Sequence, residues 1–178
     1  MRKDIQLYEW QERCLSLWFA GGCRGIASVA TGAGKTFLAL TAAARLKSDA
    51  ALTEGRGVNV KIVVPRVFLA KQWKHDIAGL FGVPEREVGM YYDALKSDPT
   101  LPYMIYVINS ARYSIARHIV SDVRSGKDVL LICDEAHHYG SAENARIFEF
   151  MKRTPRWRVH TLGLSATPDA EHCHEEAN

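Results

Sequence analysis

The sequence predicts an α/β fold: a three-layer α/β/α sandwich with helices on both faces of a mostly parallel central sheet. Short apolar runs rich in β-formers alternate with longer helical stretches, the pattern of a parallel sheet with crossover helices. Residues 129–133 are almost wholly apolar, as a central strand buried on both faces requires. The 178 residues suffice for one domain with a sizeable core and are too few for two of ordinary size.

The elements follow in order. Residues 8–19 form an amphipathic helix with Trp10, Leu15, Trp18 and Phe19 on its apolar side, and Gly21-Gly22 ends it. A strand at 25–29, a Gly-rich loop and an Ala/Leu-rich helix at 35–46 come next. A polar linker leads to a strand over 58–64 that Pro65 closes. The pattern then reads as a helix at 68–80, a short strand at 88–91 and a surface loop at 93–102. Beyond it come a strand at 104–108, a helix at 111–123, the apolar strand, a helix at 142–152 and a last strand at 159–164. The tail, 169–178, has little apolar content and is expected to fray.

Composition excludes little. Twenty-three Lys and Arg stand against twenty Asp and Glu, a formal charge of +3 that permits a nucleic-acid partner without arguing for one. No apolar run reaches bilayer-spanning length, so no membrane partner is expected. Four cysteines without paired spacing suggest free thiols in a reducing compartment, and a cytoplasmic location is expected.

The strongest chemical signal is Ala30-Thr31-Gly32-Ala33-Gly34-Lys35-Thr36, set between a strand and a helix. Gly32 and Gly34 let the backbone curl so that consecutive N–H groups face phosphate oxygens. The N-terminus of the following helix adds its positive end. Lys35 is expected to reach the β- and γ-phosphates, and the Thr36 hydroxyl to take a place on Mg²⁺. Val29 stands where the full consensus has glycine.

About one hundred residues later, Leu130-Leu131-Ile132-Cys133-Asp134-Glu135-Ala136-His137 delivers two carboxylates at the end of the apolar strand. Ligands in open α/β sheets bind at that edge. Asp134 is expected to hold Mg²⁺, and Glu135 to orient and deprotonate an attacking water. Adjacent residues of a regular strand point to opposite faces, so the chain must turn between them.

Taken together these motifs resemble those of a superfamily 2 helicase, in its N-terminal RecA-like, DEAD/DEAH-type ATP-binding domain. Relatives often replace the first glycine of the phosphate loop. Leu7-Tyr8-Glu9-Trp10-Gln11 resembles the upstream Gln motif, which implies that Gln11 reads the adenine edge of ATP; Tyr8 stands where many relatives carry Arg. Val64-Pro65-Arg66, with Leu69, Gln72 and Trp73, resembles the segment that faces the nucleic-acid backbone, and Asn109 and Ser110 sit at a second such contact. Leu162-Gly163-Leu164-Ser165-Ala166-Thr167-Pro168 resembles the motif that couples hydrolysis to strand movement through Ser165 and Thr167, with His137 facing it.

The resemblance spans residues 7–168 and lies nearest the restriction-subunit and repair-translocase branch, which implies a double-stranded DNA partner held through its backbone. It makes 1–168 the RecA-like domain 1, and 169–178 a flexible tail or the start of a linker. A motor of this family also needs a second RecA-like domain, in cis or in trans, that supplies an arginine finger. The chain alone is therefore expected to bind ATP and Mg²⁺ with little turnover. The alternative is a non-motor ATP-sensing or nucleic-acid-docking module of a larger assembly.

Two other clusters carry less. Lys152, Arg153, Arg156 and Arg158 around Trp157 are read as a solvated lead-in to the last strand, and His172, Cys173 and His174 match no zinc spacing.

Overall fold

The computed structural model describes residues 6–166 apart from Thr31 and Ala33, together with the backbone of Cys173 and His174. Eight strands form one sheet in the order β4-β3-β5-β2-β6-β7-β1-β8. They are β1 (Arg24–Val29), β2 (Val58–Val64), β3 (Val88–Tyr92), β4 (Leu95–Lys96), β5 (Tyr103–Val107), β6 (Asp128–Asp134), β7 (Val159–Ala166) and β8 (Cys173–His174). The six inner strands run parallel. A two-residue antiparallel strand closes each edge, which leaves little open ladder there.

The helices are α1 (Glu9–Ala20), α2 (Lys35–Ser48), α3 (Ala50–Thr53), α4 (Val67–Phe81) and α5 (Ile108–Arg124). Alternate residues of the central strands feed two separate cores. Val60, Ile62, Val64, Leu130 and Ile132 pack with α1, α2 and α4 on one face. Val63, Met104, Tyr106, Val129, Leu131 and Cys133 pack with α5 and residues 136–150 on the other. All seven residues of β2 and of β6 are buried, which is the central position that the apolar run at 129–133 predicts.

Five local expectations need correction. Residues 144–152 form 3-10 turns and not an α-helix, because packing against α5 outweighs their helical pattern. The run expected as a strand at 104–108 gives up Ile108 to the first turn of α5. The loop at 93–102 contains β4, and the polar linker holds α3, capped by the Asp49 carboxylate. Cys23 and Cys133 are free buried thiols, but Cys14 is disulfide-bonded, since spacing along a chain does not report proximity in space. Among the described residues no helix is long and apolar enough to cross a membrane. The tail at 169–178 lies outside the described residues except for β8.

Lys61 breaks the apolar pattern of β2 and is fully buried. Its Nζ lies 2.9 Å from Asp122 Oδ2 and donates to the Pro99 carbonyl at 2.8 Å. Beside it the Tyr106 hydroxyl and His118 Nδ1 are 2.9 Å apart, which suits a neutral ring accepting from the phenol. Burial, with Lys61 and Arg117 nearby, holds the His118 pKa down to about 4 from 6.5. Between those values the unfolded chain binds the proton and the folded chain does not, so stability falls as pH falls through that window. Urea denaturation from pH 7 to pH 4 should show His118→Gln flattening that decline relative to the wild type.

Candidate functional site

Strand polarity brings nearly every candidate residue to one edge of the sheet. The phosphate loop follows the carboxyl end of β1, Pro65 and Arg66 follow β2, Asn109 and Ser110 follow β5, Asp134 ends β6, and Ser165 is the last but one residue of β7. β7 lies between β6 and β1, with Leu164 opposite Asp134 and Ala166 opposite Val29. Ser165 therefore stands between the phosphate loop and the acidic pair, opposite Ser28.

Within the loop, Gly32 and Gly34 have φ of +80° and +88°, a region that side chains disfavour. Gly34 is the N-cap of α2, and the Gln11 amide donates to its carbonyl at 3.4 Å. A Cβ on Gly34 would come within 3.0 Å of that amide nitrogen, whereas one on Gly32 would meet nothing within 4 Å. The same Gln11 side chain accepts from the Tyr8 N–H at 2.9 Å, so a buried glutamine links the start of α1 to the loop. Thr36 is half-buried in the first turn of α2; Thr31 and Ala33 lie outside the described residues.

Lys35 Nζ donates to Glu135 Oε1 at 3.0 Å, joining the loop to the acidic strand end across one hundred positions of sequence. Glu135 adopts φ +53° and ψ +57°, the turn that two adjacent carboxylates require if both are to serve one site. Its N–H donates to Asp134 Oδ1 at 2.9 Å, and the Trp73 indole N–H donates to Asp134 Oδ2 at 2.9 Å. Burial raises the Asp134 pKa, opposed by the Trp73 hydrogen bond and the Lys35 charge. His137 Nδ1 lies 3.7 Å from Glu135 Oε2 with about half its side chain exposed; Thr167, its expected counterpart, is outside the described residues.

Arg66 and Asn109 are exposed, and Pro65 and Ser110 half-buried. Next to Asn109 and Ser110 opens a cleft of about 260 Å³ whose walls include Tyr91, Lys96, Tyr113 and Arg117. Lys96 Nζ sits 4.2 Å above the Tyr91 ring and 3.5 Å from Ser110 Oγ. Trp73, at the end of the same motif as Pro65 and Arg66, is 2% exposed and lies in the core.

Three contributors escaped sequence reasoning. The first is the Trp73 hydrogen bond itself. The second is Tyr139, whose hydroxyl lies 2.9 Å from the Val63 carbonyl and 2.8 Å from the Asp134 carbonyl. The third is Gly163, where a Cβ would crowd Ile26 at 2.9 Å and Ala136 at 3.3 Å. Its place in the Leu162–Pro168 motif was the available signal for that last one.

The basic cluster before β7 lies at the opposite edge of the sheet. Arg158 and Arg56 converge on the fully buried Asp128 at 2.6 and 2.7 Å, with His160 at 3.6 Å. Trp157 stays exposed between the two guanidinium groups. Arg158 is thus an internal ion-pair partner and not a solvated lead-in, because Asp128 at the buried start of β6 needs its charge.

A family model described as "Type III restriction enzyme, res subunit" matches residues 4–170. The DNA 3'-5' translocase XPB2 of Sulfurisphaera tokodaii is 30% identical over 171 residues, covering 96% of this chain and 33% of that protein. The putative DNA 3'-5' helicase Rad25 of Halobacterium salinarum is 28% identical over 170 residues, covering 94% and 24% respectively. The chain thus spans about a third and about a quarter of those relatives. The crystal structure of UvsW from bacteriophage T4 superposes with a TM-score of 0.69 at 16% identity, over 93% of this chain and 31% of that one.

Tyr139 ties the ends of β2 and β6 together beneath the site. Tyr139→Phe should cost about 1–2 kcal/mol, the value of a hydrogen bond to a buried acceptor. Urea unfolding with an unchanged denaturant slope checks it.

Proposed function

The chain belongs to the type III restriction enzyme res subunit family of superfamily 2 helicases, and on that premise we propose that it is the ATP-binding motor domain of a DNA helicase or translocase. The 3.0 Å contact between Lys35 and Glu135 carries this reading, because it joins a phosphate-binding lysine to a carboxylate able to activate water. Gly32, Gly34 and the start of α2 cradle the phosphates of ATP, and Thr31 and Ala33 belong to the same sequence motif. Gln11, whose amide already meets the loop at the Gly34 carbonyl, would read the adenine edge.

The donor set suits a single Mg²⁺. Asp134 and the Thr36 hydroxyl would hold it, leaving the other positions to water and phosphate oxygens, as this ion prefers. Among the described residues no group of three or more His, Cys, Asp or Glu could hold a metal unaided. When bound, the ion would neutralise charge developing on the phosphates.

The protein's own groups do the rest. Phosphates entering the loop compete for Lys35 and draw it from Glu135. The freed carboxylate then accepts a proton from the water that attacks the terminal phosphate. Ser165, Thr167 and His137 report the state of the phosphates to the moving parts.

Pro65, Arg66, Asn109 and Ser110 face the backbone of double-stranded DNA at the same sheet edge, with Lys96 and Arg117 beside them. Contacts of this kind are sequence-independent and strongly salt-dependent. Movement would come from a second RecA-like domain closing on the ATP; its arginine finger is worth about 10³–10⁵ in rate where such fingers have been measured. The chain alone therefore binds ATP with little turnover.

A fluorescent ATP analogue with Mg²⁺, followed by phosphate release with and without duplex DNA, tests the proposal. Binding with slow, DNA-indifferent release is expected. Failure to bind would overturn it, and brisk DNA-stimulated release would overturn the need for a second domain. Lys35→Ala should weaken binding about 10- to 100-fold, the worth of a hydrogen bond to a charged group, with little change in melting temperature. Glu135→Gln should leave affinity within about threefold, since its carboxylate acts on water. Equal losses in both would show the two roles to be misassigned.

A further inference from the structure

Trp73 belongs to a buried stripe of α4 that also contains Ala70 and Ile77. That spacing asks only for an apolar side chain facing the sheet. An indole brings one polar atom, a donor with no acceptor capacity, whose burial is unfavourable unless it is bonded. The acceptor it meets is a carboxylate oxygen of Asp134, 61 residues away on β6. A hydrogen bond to an ionised group is shorter and stronger than one between neutral groups, and its direction fixes the acceptor.

Asp134 is held from both faces of the sheet. Its side chain follows Leu130 and Ile132 toward the core that contains Trp73. Its carbonyl is held by Tyr139, which belongs to the core on the other face. The two carboxylate oxygens accept from different elements, Oδ1 from the Glu135 backbone and Oδ2 from the indole. A carboxylate offers about four lone-pair sites, so both oxygens keep capacity for a further ligand.

We infer that Trp73 is a positioning residue for the metal-holding carboxylate, its indole N–H setting the rotation of Asp134 so that one fixed edge faces the phosphate loop. The inference rests on the assignment of Asp134 to Mg²⁺ proposed above. It also gives α4, which begins beside Pro65 and Arg66, a direct bond to the nucleotide site.

The test titrates Mg²⁺ into the 178-residue chain with a bound fluorescent ATP analogue, in wild type, Trp73→Phe, Asp134→Asn and the double variant. Phenylalanine keeps most of the apolar packing and removes the N–H. Groups that orient a metal ligand typically cost roughly 10–100-fold in metal affinity when lost. The Mg²⁺ needed for half-maximal effect should therefore rise by about that factor in Trp73→Phe. Metal-free binding of the analogue should stay within about twofold, because the phosphate loop is untouched. In the Asp134→Asn background the same substitution should add nothing.

An unchanged Mg²⁺ requirement in Trp73→Phe overturns the inference. So does an undiminished effect of the substitution on top of Asp134→Asn, and so does an equal loss of metal-free and metal-dependent binding, which would mark a merely structural role. Should Trp73→Phe fail to fold, nitrogen-15-labelled wild type decides: the Trp73 indole resonance must shift when Mg²⁺ joins the nucleotide, and a stationary resonance overturns the inference. Wild-type binding that ignores Mg²⁺ altogether would instead refute the metal assignment of Asp134, and the Trp73 inference with it.

Discussion

Asp134 ends a strand in which every residue is buried, so its charge must be stabilised by the protein and not by bulk water. Much of the surrounding architecture meets that requirement. The indole of α4 and the Glu135 N–H satisfy the carboxylate, and Tyr139 satisfies the carbonyl behind it. The left-handed turn at Glu135 brings the second carboxylate back toward Lys35, and Gly163 leaves room on β7 for Ala136, the next residue. Disturbing any of these would move the point where α2, α4, β6 and β7 meet.

The two ends of the sheet treat charge differently. At the amino-terminal end of β6, Asp128 has no exposed surface and is shared by Arg56, Arg158 and His160. Removing one partner from such a buried set leaves an uncompensated charge, which is strongly destabilising. The cluster therefore acts as a fixed fastening between the linker before β2, the start of β6 and the entry to β7. Lys61 and Asp122 form a similar fastening between β2 and α5.

Much of this was legible in the sequence, and the limits have a physical origin. The parallel sheet, the central place of β6 and the joining of phosphate loop to acidic pair all follow from local periodicity and short motifs. Even the turn between Asp134 and Glu135 could be derived, because a strand alternates its side chains. What could not be derived depends on long-range pairing. Trp73 reads as part of a surface motif until β6 is placed beside β2. Lys61 interrupts an apolar run, and its partner Asp122 comes only from α5, the crossover between β5 and β6. Arg158 reads as solvated until Asp128 is known to be buried. In each case the local pattern is correct about the element and silent about the partner.

At the carboxyl-terminal edge the opposite regime holds. Lys35 and Glu135 keep 15% and 27% of their side chains exposed. An ion pair so close to solvent is screened and weak compared with one fully withdrawn from water. That weakness suits the proposed role, in which the lysine leaves its carboxylate when phosphates arrive. In that role the pair would hold both side chains near their working positions beforehand, leaving little conformational freedom to be lost on binding. Had Glu135 been buried as deeply as Asp128, its release would strand a charge and the exchange would be unfavourable. The burial of Asp134 and the exposure of Glu135, one residue apart, thus fit the proposed division between a group that stays and a group that acts.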